Sequence, residues 1–314
     1  MPRPIVVIGS ANMDLVCKTP HMPAPGQTIL GCGFATIPGG KGANQAVAAA
    51  KLGGQVHFVG RIGDDDFGQR LLVGLQQHRV STRHVTITEG MPSGVAVILV
   101  DKKGENSIIV ARGANQHLSP ADVDHAAEVL RQAAVCVMQL EIPLETAEHA
   151  AALCRQFGVR CILDPAPAPA KLPRGLWAVD VFTPNQSEAE TLLGETALGR
   201  LRRPRRPDAK QIASELLRRG PRSVVLKLSE KGALMMDRGG EIQQVRGHQV
   251  RVVDTTAAGD AFTAALAVGL AEEMPLPAAV RFANAAGAVC CQTFGAQPAV
   301  PTRQAVEALL RAES

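Results

Sequence analysis

Ala134-Val135-Cys136-Val137-Met138-Gln139-Leu140 is followed by a helix-forming stretch over residues 145–157 and then by Val159-Arg160-Cys161-Ile162-Leu163. Both flanks are short, apolar and rich in β-branched residues, whereas the middle carries apolar positions three and four apart. Two strands of continuous rather than alternating hydrophobicity, joined through a helix, describe one unit of a parallel sheet covered on both faces. The same alternation extends in both directions. Apolar runs at residues 5–8, 56–59, 179–182 and 223–228 predict further buried strands; residues 43–52, 66–78, 121–133 and 208–219 predict helices. Past residue 228 the order changes, with residues 233–236 able to pair locally and helices dominating from Gly259 onward. The fold class is α/β, with a mostly parallel central sheet.

Two stretches break the alternation. Residues 15–36 and 94–110 read as period-2 strands with turns, the second as a hairpin around Asp101-Lys102-Lys103-Gly104. A small sheet built from two distant segments, at about 12–38 and 93–113, suits a lid over a site on one domain spanning residues 1–314.

The chain has 314 residues, 33 Lys plus Arg and 29 Asp plus Glu, a formal charge of +4. The excess is local. Nine basic residues fall within residues 200–222 against Asp208 and Glu215, and the rest of the chain is slightly acidic. With one Trp, no Tyr and eight Phe, the stacking platforms of single-stranded nucleic-acid binders are scarce, so the basic run reads as a solvated surface. The seven Cys show no Cys-x-x-Cys spacing, which argues against a disulfide framework or a zinc ribbon and for a reducing compartment, the cytoplasm. No apolar run reaches the roughly 18 residues of a membrane span.

Five motifs carry chemistry. In Gly39-Gly40-Lys41-Gly42-Ala43-Asn44-Gln45-Ala46 glycines open a helix, where bare backbone and free amides favour an oxygen-rich ligand; the residue after Lys41 rules out a Walker A loop. Asp254-Thr255-Thr256-Ala257-Ala258-Gly259-Asp260 runs small residues into a second helix, giving an anion hole with a carboxylate at its mouth. Asp260 there is either a helix cap or a base for a substrate hydroxyl. Asn12 and Asp14 after the first strand serve a turn or a ligand, and Glu141 follows a strand at the sheet edge where α/β ligands bind. Asn185 and Glu188, three apart past another strand, form a helix cap or hold a hydrated Mg²⁺. The aspartates at 64–66 read as a helix opening rather than a metal site.

Together these motifs resemble the ribokinase and phosphofructokinase-B-type carbohydrate kinase superfamily, its ribokinase branch most closely. Gly9-Ser10-Ala11-Asn12-Met13-Asp14, Met138-Gln139-Leu140-Glu141, Asp164-Pro165-Ala166-Pro167-Ala168, Thr183-Pro184-Asn185 and Gly295-Ala296-Gln297-Pro298 support it in order along nearly the whole chain. The resemblance implies a three-layer sandwich with a small β-sheet lid, and ATP-dependent phosphorylation of the 5-hydroxyl of D-ribose. It implies that Asn12, Asp14, Gly39, Gly40, Lys41, Asn44 and Glu141 hold the sugar, with Asp260 as base. Ala257, Ala258 and Gly259 become the anion hole, and Asn185, Lys227, Ser229, Gly232, Gly259 and Asn284 line the ATP site. Glu188 meets Mg²⁺ through water. Asp254, Thr256, Cys290, Thr293 and Gly295 match a site for an activating K⁺, and a homodimer through the lid is expected.

Two departures stand out. Ala299 occupies a position where ribokinases commonly have Ser, and Lys227-Leu228-Ser229 replaces a common Thr-Leu-Gly. Alternatives are a superfamily kinase acting on deoxyribose, fructose or a nucleoside, and, remotely, a kinase-like regulator that binds nucleic acid.

Overall fold

Residues 3–201 and 208–312 are described by a computed structural model. Residues 202–207, part of the basic run within 200–222, lie outside them.

The central sheet has nine strands, β1 (Ile5–Ile8), β4 (Val56–Gly63), β5 (Ser81–Thr88), β8 (Val135–Met138), β9 (Arg160–Leu163), β10 (Val181–Phe182), β11 (Ser223–Lys227), β12 (Ala233–Asp237) and β13 (Ile242–Val245). They lie in the order β13-β12-β11-β10-β9-β8-β1-β4-β5. All neighbours from β11 to β5 are parallel, and β12 and β13 are added antiparallel at the end. The Val135–Met138 and Arg160–Leu163 strands pair in parallel, Val135 against Arg160 and Met138 against Leu163, with helix α5 (Leu144–Phe157) between them in sequence.

Both faces of the sheet are covered. Along β1, Ile5 and Val7 enter one core and Val6 and Ile8 the other, the two-residue period of a strand with no solvent face. The first core is closed by α1 (Lys41–Lys51), α2 (Asp66–Gln77), α8 (Ala258–Ala271), α9 (Leu276–Cys290) and α10 (Arg303–Ala312). The second is closed by α3 (Pro120–His125), α4 (Ala127–Gln132), α5, α6 (Gln186–Leu201) and α7 (Ala209–Arg219). This is the expected three-layer sandwich. One predicted helix, 121–133, is two: the chain breaks at Ala126, which caps α3 and starts α4.

The lid has four strands, β2 (Asn12–Lys18), β3 (Gly33–Gly39), β6 (Gly94–Val100) and β7 (Asn106–Ala111), in the order β3-β2-β6-β7. Asn12 pairs with Gly39 on one side and Gly94 on the other. The turn reading of Asn12 and Asp14 is corrected here: both lie on β2, where the alternation of the strand puts them on one face together with the buried Val16 and sends the buried Met13 to the other.

Candidate active site

The parallel strands deliver their C-terminal ends to one edge, where the N-termini of α1 and α8 also arrive. Glu141, three residues past β8, is the meeting point: its Oε2 accepts from Ser10 Oγ at 2.5 Å, the Lys41 backbone N–H at 3.1 Å and Asn12 Nδ2 at 3.4 Å. Asn12 is held in turn by Asn115 Nδ2 at 2.8 Å, and Asn115 bonds both the N–H and the carbonyl of Ala11. The glycines explain how these segments come so close. A Cβ on Gly42 would stand 2.6 Å from the Ser10 nitrogen, and one on Gly40 2.6 Å from the Asn12 nitrogen. Gly40 also has φ +86°, a conformation open to Gly and strained for other residues.

Asp260 sits in the first turn of α8, but it does not cap that helix. Its Oδ2 accepts from Asn44 Nδ2 at 3.0 Å and its Oδ1 from Gln45 Nε2 at 3.1 Å, both from α1. The side chain is buried. Burial raises its proton affinity, the Asp164 charge adds to this, and Lys41 and the two amides oppose it. Burial likewise pushes the Asp14 carboxyl up to about 7, with Glu141 and Asp260 adding like charge against Lys41. Lys41 is driven the other way: burial disfavours its charge, yet the surrounding carboxylates, Asp260 and Glu141 foremost, hold it firmly protonated. The arrangement is one ammonium among several carboxylates beside a helix N-terminus, suited to orienting hydroxyls and removing a proton.

The family model for pfkB family carbohydrate kinases matches residues 3–303. The chain belongs to the pfkB family. It is 39% identical over 308 residues to a ribokinase of Bacillus subtilis, covering 98% of this chain and 99% of that one. A deoxyribokinase of Salmonella typhi is 36% identical over 299 residues, with 95% of each covered. The solved structure of Arabidopsis thaliana ribokinase complexed with ribose and ATP superposes with a TM-score of 0.89 at 34% identity, over 99% of both chains. The fold is that of these enzymes, and the chain is a ribokinase-type sugar kinase.

In this pfkB-family kinase the remaining expected residues lie along the same edge. Lys227 ends β11, with its ammonium 2.9 Å from Asp164 Oδ1 and 3.6 Å from where a Cβ on Gly259 would be. Asn185 and Glu188 bond each other reciprocally: Asn185 Oδ1 accepts from the Glu188 N–H and Glu188 Oε2 from the Asn185 N–H, each at 2.8 Å. That is a capping box at the start of α6. Burial pushes the Glu188 carboxyl up, with Lys227 opposing. Ser229 takes the left-handed conformation at φ +54°, at a cost of roughly 1 kcal/mol for a residue with a Cβ. Gly232, at φ +87°, leaves 2.1 Å between a would-be Cβ and the Val245 carbonyl. Asn284 ties α9 to the end of β13, donating to the carbonyls of Val245 and Arg246 at 3.2 and 3.3 Å.

The loop before α8 is organised by Asp254. Its Oδ1 accepts from the N–H and hydroxyl of Thr256 at 2.9 and 2.7 Å, and its Oδ2 from the Gly295 N–H at 2.9 Å. The Cys290 thiol, pushed up to about 12 chiefly by burial, donates to the Thr256 carbonyl at 3.6 Å, and the Cys290 carbonyl takes the Thr293 N–H at 3.3 Å. Ala299 packs against Ala261 and Cys290. The expected three free amides are corrected in one respect: the Ala258 N–H is engaged by the Thr255 carbonyl at 3.2 Å, because Ala257 at φ +59° turns the chain back there. Among the described residues no three His, Cys, Asp or Glu converge as metal ligands, and no helix is long and apolar enough to cross a membrane.

Sequence reasoning missed the residues behind the site. Gln45, Gln139, Asp164 and Thr263 are buried polar side chains bonded to one another or to Asp260. Gln45, Gln139 and Asp164 stand inside quoted motifs, so the signal was a polar residue in an otherwise apolar setting. The described part of the basic segment makes local ion pairs, Arg218 and Arg219 with Glu215 and Arg222 with Asp180.

Proposed function

We propose that the chain transfers the γ-phosphoryl group of MgATP to the 5-hydroxyl of D-ribose, giving D-ribose 5-phosphate and MgADP. The observation that carries this is the buried Asp260 carboxylate, held by Asn44 and Gln45 at the start of α8 and facing the polar rim of Asn12, Asp14, Lys41 and Glu141. A relative complexed with ribose and ATP supports the same reading. Asn12, Asp14, Gly39, Gly40, Lys41, Asn44 and Glu141 would hold the sugar hydroxyls. Asp260 takes the hydroxyl proton as the oxygen bonds to the γ-phosphorus and the bond to the bridging oxygen of ADP breaks. Its raised proton affinity suits that task. The amide ends of Ala257 and Gly259, with the Lys227 ammonium and the Ala258 N–H once it leaves the Thr255 carbonyl, would stabilise charge on the transferring group, the main demand of phosphoryl transfer. Lys227, Ser229, Gly232 and Asn284 would receive the nucleotide. Asn185 and Glu188 would meet its hydrated Mg²⁺.

Asp254 with the carbonyls of Thr256, Cys290, Thr293 and Gly295 would hold K⁺, since one carboxylate among neutral oxygens fits a large, singly charged cation. Bound there, K⁺ would add positive charge beside the anion hole and order its loop. The lid would also be the dimer interface: Phe34, Val97 and Ile109, 68%, 41% and 72% exposed, share one of its faces, a patch of the kind that marks association. The seven free cysteines suit a cytoplasmic enzyme, and no nucleic-acid partner is expected.

The relative named a deoxyribokinase favours deoxyribose as the second reading. The test is release of ADP across ribose, deoxyribose, fructose and nucleosides, with and without K⁺. Ribose should give the highest kcat/KM; weak turnover of ribose beside rapid turnover of another sugar would overturn the assignment.

A further inference from the structure

Asp164, just past β9, is 1% exposed and carries three side-chain donors. Its Oδ1 takes the Lys227 ammonium at 2.9 Å, and its Oδ2 takes Gln45 Nε2 and Thr263 Oγ1, both at 3.1 Å. The same Gln45 nitrogen bonds Asp260 Oδ1 at 3.1 Å. Gln45 is itself fixed, because Gln139 Nε2 donates to its Oε1 at 2.6 Å. One locked amide therefore spans two buried carboxylates, of which only Asp164 is paired with Lys227. Lys227 remains 13% exposed, and its ammonium lies beside Gly259, where phosphoryl charge would develop.

We propose that Asp164 is a positioning residue that holds Lys227 in reserve for the incoming γ-phosphate, and that this hand-over, transmitted across Gln45, makes Asp260 a stronger base only once the nucleotide has arrived. It rests on Asp260 being the base. Before ATP binds, Lys227 neutralises Asp164. When the ammonium turns to a phosphate oxygen, Asp164 keeps its bonds to Gln45 and Thr263 but loses its counter-charge. A carboxylate with an uncompensated like charge close by binds a proton more tightly. The low-dielectric interior strengthens this coupling. No bond is made or broken in the exchange; one ammonium changes partners.

The other charged or titratable groups around Asp260 are Lys41 on α1, Asp14 on β2, Glu141 after β8 and Cys290 on α9. Cys290 stays neutral through the assay range. Burial lifts the Asp14 carboxyl, with Glu141 and Asp260 adding to this and Lys41 opposing.

The test is the pH dependence of kcat/KM for MgATP on the full-length enzyme at saturating sugar, which reads the enzyme before the ammonium changes partners; in the parent the acid limb of kcat, which reads it afterwards, should lie about one pH unit higher. In Asp164→Asn the acid limb of kcat/KM should move down by about one pH unit, and in Lys227→Met up by about as much. KM for ATP should rise about tenfold or more in Lys227→Met while KM for the sugar changes less than about threefold. Removing one partner of a buried pair can cost stability, whereas removing both is often tolerated. The double variant Asp164→Asn/Lys227→Met is therefore included, and its limb should return toward that of the parent. Limbs that stay in place, that move the same way in both single variants, or that fail to return in the double overturn the hand-over. Asp260→Asn, assayed alongside, separates the two ideas: near-normal kcat in that variant overturns the base assignment itself.

Discussion

Gly39 presents its bare α-carbon to the Asp14 carboxylate across paired strands, so that a Cβ on Gly39 would stand 2.2 Å from Asp14 Oδ2. No real Cβ tolerates that distance, and Asp14, short and buried, can only rotate away. Gly39→Ala should therefore damage sugar binding before stability. KM for the sugar is expected to rise about tenfold or more, equivalent to ~1.4 kcal/mol, while Tm stays within about 3 °C of the parent. Steady-state kinetics with a thermal melt of the same sample decides it; an unchanged KM would remove Asp14 from the sugar site.

Burial, then the charges of Glu141 and Asp260, lift the Asp14 carboxyl from an ordinary 3.8 to about 7. The folded state thus favours the protonated form. The stability this contributes is fully present below about pH 4 and is lost as pH rises through 7, a difference of about 4 kcal/mol at most. Asp14→Asn imitates the neutral carboxyl at every pH. It should melt above the parent at pH 8.5, with a gap that narrows toward pH 5. Melts of both proteins across that range test the sign; a constant gap would mean the group does not titrate there.

Elements with a strong one-dimensional signal were legible. Ile5-Val6-Val7-Ile8 reads as a core strand because both its faces are buried, and the β8–α5–β9 unit follows from period alone. The strand Ser81–Thr88 escaped notice because it is the sheet's outer member, with no fully buried residue, so its hydrophobic pattern is weak. Asn185 and Glu188 mark the start of helix α6, but its extent was not legible because Gly194, at φ +71° and ψ 165°, breaks its period. In the site, Asp260, Lys41 and Glu141 sit beside glycines or helix starts and announce themselves. Asp164 and Gln45 do not: their partners lie 63 to 215 residues away, and only the packed fold brings those charges together.

Asn185 and Glu188 form the capping box of α6, and substitution can separate that role from the proposed one at Mg²⁺. Glu188→Gln preserves a side chain able to accept the Asn185 N–H, since Gln serves a capping box as Glu does. Glu188→Ala removes it and should cost about 1 kcal/mol. If Glu188 also meets the hydrated Mg²⁺ of the nucleotide, both variants should need more Mg²⁺ and lose kcat, but Ala alone should lower Tm. Activity that survives in Glu188→Gln would leave the residue as a cap only.

Ile109 projects from β7, whose six residues are all exposed. Placing a charge in an apolar interface is costly because it is desolvated without a partner. Ile109→Asp should therefore shift the enzyme from dimer to monomer in sedimentation equilibrium, without altering the far-UV spectrum. A parent that sediments as a monomer would exclude the lid as an interface.

Ala299 gives the most direct way to ask whether the Asp254 loop takes a cation. Its side chain lies in a small apolar cluster with Ala261 and Cys290, next to the Thr256 carbonyl that Cys290 reaches through its thiol. The loop's oxygens are otherwise the Asp254 carboxylate, already accepting three hydrogen bonds, and backbone carbonyls. A Ser at 299 adds one hydroxyl oxygen at nearly constant volume, supplying a neutral donor of the kind a weakly hydrated monovalent ion prefers. Burying the hydroxyl costs free energy unless it finds a partner, so without K⁺ the variant should melt slightly below the parent. With K⁺ the deficit should close, and half-maximal activation should need about threefold less K⁺ or lower still, with no such response to Na⁺. Melting curves and initial rates over a K⁺ series test both halves. Ala299→Ser that is destabilised equally with and without K⁺, at unchanged activation, would show that position 299 faces only its apolar neighbours.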